Sequence, residues 1–254
     1  MRGQKWLLPL AGIVLALVVW QVWSLSRGSD SILAAFSPAR TARSLWELLT
    51  TGALLPHIGV SVKRVIVGLL IGLLAGAPLG ILLGTQAWLE RTVSPVLQLV
   101  RMISPLSWMP IAIMVFGIGD APVYFLLGVA TLFPIMLNTR SGIALIDRKW
   151  VLAVRSLGAN RWELLRTVYL PAVVMHTLTG FRLAVGLAWI VLVPAEMLGV
   201  SAGLGYYILD TRDRLAYSEM MAVILVIGVL GYCFDLLARL LVARLTPHLH
   251  QQAG

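Results

Sequence analysis

The chain has 254 residues, 59% of them hydrophobic and only 12% charged, with a mean hydropathy of +0.90 and a formal net charge of +9. Soluble domains carry about 25% charged residues, so this composition excludes a soluble globular protein and points to an all-α polytopic membrane protein with about six spans of ~20 residues. The positive charge does not imply nucleic acid, because the Lys and Arg residues sit mainly at span ends and in one loop, where membrane topology places them.

The first apolar run, residues 6–25, follows Arg2 and Lys5. It is longer than a signal-peptide core and no small-residue cleavage site follows directly, so it reads as a retained first span. Residues 26–55 are mixed, with Arg27, Asp30, Arg40, Arg43 and Glu47. Within them, residues 41–55 carry Leu45, Trp46, Leu48 and Leu49 and read as an interfacial amphipathic helix. Further spans are expected at residues 59–84, 92–117, 121–138, 175–199 and 219–243, the one at 92–117 broken near Pro105 and Pro110. In the second span Gly68, Gly72, Gly76, Gly80 and Gly84 recur every four residues. On a helix this makes a groove of missing side chains, which lets another helix approach closely and favours packing over a pore-lining role. Pro78 in the same span should add a local kink. Cys233, the single cysteine, lies in an apolar run, so an intrachain disulfide or a cysteine metal site is excluded.

Basic residues in short loops set the expected orientation. Residues 139–170 hold Arg140, Arg148, Lys149, Arg155, Arg161 and Arg166 against Asp147 and Glu163, so this loop is expected in the cytoplasm. Counting spans outward puts both termini there, in agreement with Arg2 and Lys5 at one end and Arg239 and Arg244 at the other. The short connection 117–121 contains Asp120 and no base, which suits the outside. The loop 200–218, with Asp210, Arg212, Asp213 and Arg214, decides nothing.

Locally, Asn160 and Glu163 have the spacing of a capping box that starts a helix at Arg161 and runs it to about Tyr169. Gly158 is expected to end the preceding helix in the left-handed conformation. The result is helix, glycine turn, helix, with Trp150, Val151, Val154 and Leu157 as an apolar face and Arg155 and Arg161 as a basic rim. An apolar centre with a polar rim suits a protein partner. An interfacial hairpin on anionic lipid has the same features, and the residues alone leave both readings open.

Arg101, Arg182 and Glu196 fall in or near apolar segments, where charges face the protein interior or a wet cavity. Arg182 and Glu196, fourteen apart, fall near one helical face. Arg101 precedes the break that begins at Ser104, and broken helices line cavities. These residues either line a pathway for an anionic substrate, with Ser104, or pair between helices. His248 and His250 suit a solvated tail better than a metal site, and Met102, Met109 and Met114 suit packing. The sequence holds no G-x-x-x-x-G-K-[ST], no H-E-x-x-H and no G-x-S-x-G, so neither ATP binding nor hydrolase chemistry is expected of this chain.

In residues 151–171, Ala153, then Gly158, then nine residues, then Val168-x-Leu170-Pro171 resemble the E-A-A-x3-G-x9-I-x-L-P signature of ABC-importer permeases. Leu152 stands at the position of the family's leading Glu and Val154 at its second Ala, which removes a salt bridge that the Glu could make. The stretches 103–122, 133–143, 180–199 and 203–213 resemble the nitrate, cyanate, bicarbonate, taurine and sulfonate branch of these permeases. The resemblance covers roughly residues 58–245.

What the resemblance implies is a type I ABC-importer permease (MetI-like) fold of six transmembrane helices in one domain, residues 1–254. Its five-helix core would cover about 58–245, with a coupling loop over 139–171. In that loop Trp150, Ala153, Val154, Arg155, Leu157, Gly158, Arg161, Leu170 and Pro171 are expected to dock an ATPase. The implied partners are two ATPase subunits holding ATP and Mg, a second copy of the chain, membrane lipid, and a periplasmic or lipid-anchored binding protein. The implied location is the bacterial inner membrane. A stand-alone carrier or channel is the rival reading; such carriers often show internal repeats and paired broken helices, and the sequence shows neither.

Overall fold

The computed structural model describes residues 4–25 and 35–245, with side chains for 11–24 and 35–245, and among them every element is helical. Arg2, Arg27, Asp30, His248, His250 and the side chain of Lys5 lie outside this range. In chain order the helices are α1 (Gln4–Leu25), α2 (Pro38–Thr50), α3 (Leu55–Thr85), α4 (Ala87–Met102), α5 (Met109–Phe116), α6 (Asp120–Ala144), α7 (Arg148–Ser156), α8 (Arg161–Leu164), α9 (Leu170–Gly199), α10 (Leu204–Asp213) and α11 (Tyr217–Leu245). A 3-10 turn over Pro105–Trp108 precedes α5, and a π-helical turn over Leu165–Tyr169 joins α8 to α9.

Four helices are long and apolar enough to cross a membrane: Leu55–Thr85, Asp120–Ala144, the continuous run Arg161–Gly199, and Tyr217–Leu245. A fifth crossing exists if α4 and the Pro105–Phe116 segment, bent by 89°, form one span. Ala11–Ser24 in α1 is a shorter apolar stretch. Against the expectation of six spans, the described residues hold four to five, with α1 as a further apolar helix.

The core is α3 packed against α6, and α6 against α9. The glycine groove of α3 faces α6: a Cβ on Gly76 would stand 2.7 Å from the Leu132 carbonyl oxygen, and one on Gly80 2.5 Å from that of Met136. The close approach lets the Thr131 hydroxyl donate to the Gly68 carbonyl at 3.0 Å. A cross-helix bond of this type contributes about 0.6 kcal/mol in a membrane. Gly180 of α9 continues the pattern, its missing Cβ lying 2.7 Å from the Pro134 carbonyl oxygen. Val65, Leu126, Leu127, Ile135, Ala184, Ala188 and Leu192 fill the space between and are fully buried. Glycine thus serves packing, as the spacing predicts.

Three boundaries differ from the sequence reading. The break in the third apolar segment sits at Ile103 and Ser104, both extended (ψ 125 and 132). Pro105 causes it, since proline bars the preceding residue from the helical region. Pro110 breaks nothing: it lies in the first turn of α5, where a missing amide hydrogen has no consequence. The helix begun at Arg161 does not stop near Tyr169 but runs on through α9 to Gly199. Likewise α6 continues past residue 138 to Ala144.

The amphipathic segment forms α2, which docks on the start of α11. Thr41, Ser44 and Leu48 are its buried face, at the three- and four-residue spacing of a helix stripe. Ser44 donates to or accepts from Ser218 at 3.0 Å, and the Phe36 and Tyr217 rings lie 5.4 Å apart. Trp46 and Leu49 on the other face are exposed.

Candidate functional site

At one end of the bundle the chain leaves α6 and builds a knob. Asp147 caps α7, accepting from the Lys149 amide at 2.9 Å. Leu157 ends the helix, and Gly158 follows at φ +84. The Gly158 amide donates to Arg155 O (3.0 Å) and the Ala159 amide to Val154 O (3.4 Å), which together close a Schellman turn. Asn160 then opens the next helix through a full capping box. Its side chain accepts from the Trp162 and Glu163 amides at 2.9 Å each, and the Glu163 carboxylate accepts from the Asn160 amide at 2.8 Å. Both halves of the predicted helix, glycine, helix arrangement are present.

The expected docking residues divide among three surfaces. Leu157, at 86% exposure, and Gly158 form the tip, with Ala153 exposed beside them. Trp150, Val154 and Pro171 border a cleft of about 680 Å³ on one flank. Arg155 and Arg161 border a cleft of about 770 Å³ on the other, against Thr85, Gln86 and Trp88 at the α3–α4 corner. Leu170 is the first residue of α9 and its amide donates to Leu165 O, a five-residue reach that makes the π turn. Pro171, lacking an amide hydrogen, follows at the point where the widened turn returns to α-helix.

At the opposite end lies a buried charge network that the sequence reading missed. The Arg64 guanidinium donates to Glu196 Oε1 (2.7 Å), to the Ala202 carbonyl (2.6 Å) and, through Nε and Nη2, to Asp120 Oδ1 (2.9 and 2.6 Å). Glu196 is fully buried and accepts as well from the Ser61 hydroxyl (2.8 Å) and the Gly205 amide (2.9 Å). Ser61 in turn accepts from the Leu204 amide (2.9 Å), and His57 Nδ1 from the Gly203 amide (3.1 Å). Gly203, at φ +122, leaves no room for a side chain: a Cβ there would stand 2.5 Å from the Glu196 carboxyl carbon. The network joins the starts of α3 and α6 to the end of α9 and the turn into α10. Glu196 therefore pairs between helices. A signal was present, since Arg64 is a charge inside an apolar run with Ser61 one turn before it. On neighbouring α10, burial and then the Glu219 carboxylate push the Tyr207 phenol above its usual range.

The remaining pathway candidates are separate. Arg182 is 44% exposed in its side chain and lies 3.9 Å from Asp235 of α11. Arg101, exposed at the last turn of α4, borders two cavities between α4 and α6, of about 210 and 340 Å³. Ser104 is exposed in the extended link at the bend. The structure does not bring Arg101 and Arg182 together with Glu196. Among the described residues no group of three or more His, Cys, Asp or Glu side chains is placed to hold a metal ion.

Helices long and apolar enough to cross a membrane, packed through glycines and carrying a structured knob at one end, define a multi-pass membrane protein. The chain belongs to the family described as binding-protein-dependent transport system inner membrane component, which matches residues 68–249. It is 30% identical to the nitrate import permease protein NrtB of Leptolyngbya laminosa, over 91% of this chain and 85% of the relative. It is 34% identical to the putative aliphatic sulfonates transport permease protein SsuC of Escherichia coli K12, over 94% and 91%. Relatives named as bicarbonate and taurine transport permeases match as well. Among solved structures, an inward-facing form of the MetNI methionine ABC transporter shares the fold, with a TM-score of 0.60 at 20% identity, covering 75% of this chain and 95% of that one.

Proposed function

We propose that this chain is the membrane-spanning half of an ATP-driven importer for a small anion of the nitrate, bicarbonate, taurine or sulfonate class. Two copies pair in a bacterial inner membrane, each carrying an ATPase subunit on its knob, and a periplasmic or lipid-anchored binding protein delivers solute to the opposite face. ATP and Mg reside on the ATPase; this chain binds no cofactor. The knob faces the cytoplasm with both termini, as its basic residues favour, and Arg64 and Glu196 lie near the outer surface. The single observation that carries this reading is the knob's architecture. A Schellman turn and a capping box fix an exposed Leu157 tip between Arg155 and Arg161, a rigid apolar centre with a basic rim. A stand-alone carrier has no use for it.

The Gly158→Asp variant tests the reading. Nothing lies within 4 Å of the position a Cβ would take, so the bundle's packing is left alone, while at φ +84 a side chain strains the turn that holds the docking tip in place. The expected outcome is a protein that inserts normally in the membrane but no longer co-purifies with a P-loop ATPase. Undiminished co-purification refutes the docking assignment.

A further inference from the structure

Arg101 differs from four other arginines of the bundle. Arg64, Arg140, Arg182 and Arg239 each have a carboxylate within ion-pair distance. Arg101 has none among the described residues, the nearby Glu90 being engaged by Arg140. The cavities it borders are walled by Phe133 and Leu137 of α6, a helix long and apolar enough to cross a membrane. An unpaired cation beside a membrane-crossing helix faces water or an anionic ligand rather than lipid.

The surroundings of Arg101 are two-sided. Towards the knob end, the cavity of about 210 Å³ is walled mostly by apolar side chains and includes the Glu90–Arg140 pair; its other polar groups are Ser94, Gln98 and Arg101 of α4, which share one helix face at four- and three-residue spacing. These are hydroxyl, amide and guanidinium donors, a set suited to an oxyanion. On the other side, the cavity of about 340 Å³ is lined by Val129, Pro134, Leu187 and Val191, with Arg101 its one charged residue. The guanidinium thus stands between a chamber that carries polar groups along α4 and one whose other walls are all apolar.

We propose that Arg101, Gln98 and Ser94 form an anion subsite within the permease, which holds the charged head of an organic oxyanion while its short apolar tail occupies the chamber beside Leu187 and Val191. The inference rests on the importer reading and narrows its substrate class to sulfonate-like solutes over nitrate or bicarbonate. Arg140 is the next cation along α6, and Glu90 already occupies it. An anion moving that way must displace a tethered carboxylate, so Arg101 is the resting position.

The test uses the purified full-length chain in mild detergent, titrated at fixed ionic strength with butanesulfonate, nitrate or bicarbonate while its thermal midpoint is followed. Butanesulfonate should raise the midpoint saturably in the wild type and be lost in Arg101→Gln. Arg101→Lys, which keeps the charge but not the planar fork, should retain part of it. Nitrate and bicarbonate should need at least about tenfold higher concentrations. The titration uses the isolated chain with no ATPase present, so a failure of ATPase docking and a failure of the anion subsite read out separately. A butanesulfonate response that is absent, unsaturable or intact in Arg101→Gln overturns the subsite. Equal response to nitrate overturns the assignment of the apolar chamber.

Discussion

Arg64→Leu is the sharpest probe of what holds the helices together at the network end. The side chain is 3% exposed and its partner Glu196 0%, so the substitution leaves a carboxylate buried with only Ser61 and the Gly205 amide to stabilise it. Breaking a buried pair from one side costs about 3–5 kcal/mol. Asp120 contributes little to the loss. It is 35% exposed and keeps Lys63 at 3.6 Å and the Tyr124 hydroxyl at 3.1 Å. Glu196→Gln is milder, because Arg64 keeps Asp120 and the Ala202 carbonyl as partners; the expected loss is about 1–3 kcal/mol. In the double variant neither charge is stranded, so its loss should fall below the sum of the two by about 0.5–3 kcal/mol. Reversible unfolding in mixed micelles, followed by circular dichroism, measures all three. Single-variant losses that add in the double variant, or Glu196→Gln more damaging than Arg64→Leu, refute the pairing argument.

Three further substitutions separate packing from local capping. Gly76→Val puts a side chain against the α6 backbone at Leu132 and should cost about 1–3 kcal/mol by overpacking, whereas Gly186→Val, with nothing within 4 Å, should leave the thermal midpoint unchanged; equal effects from the two refute the glycine contact. Asn160→Ala removes both side-chain bonds to the first turn of α8 and should cost the knob about 1 kcal/mol. Hydrogen exchange should then quicken at the Trp162 and Glu163 amides while the global midpoint holds, and unchanged exchange there refutes the capping role.

What the sequence disclosed and what it hid divide by range. The capping box of Asn160 and Glu163 and the turn at Gly158 depend on residues within one helical turn, so their spacing alone placed them. The glycine repeat of α3 announced a close contact without naming α6 as the partner, because the partner's face carries no matching periodicity that stands out. Arg64 offered the same signal as Arg182, a charge in an apolar run, yet its three partners lie in α6, α9 and the turn after α9, far along the chain. Pairings of that kind are fixed by tertiary packing, which no local pattern encodes. Helix α10 was hidden for another reason. Its Asp210, Arg212 and Asp213 read as part of a loop over 200–218, while Leu204, Tyr207 and Thr211, buried at three- and four-residue spacing, carry the helix.

The two ends of the molecule are connected by unequal elements, and the inequality follows from the packing. The run Arg161–Gly199 is one helix of 39 residues, so the knob's capping box and the buried Glu196 sit on the same rod. That rod is held to α6 by Gly180 and by the hydrogen bond between the Thr139 and Thr177 hydroxyls at 2.9 Å, and α6 is held to α3 by the glycine groove. Close-packed contacts of this kind transmit strain, so α3, α6 and α9 are expected to move as a body under a force applied at the knob. The π turn at Leu165–Tyr169 lies at the base of the knob, where the rod's bonding register is already relaxed. Helix α4 is placed differently. It has no buried residue, it turns through 89° at Ser104 into the following segment, and the Glu90 to Arg140 ion pair ties its first turn to the end of α6. Its attachment is polar and local where the other contacts are apolar and continuous. Displacement between the rigid three-helix body and α4 therefore changes the cavities on either side of Arg101 before it disturbs the core.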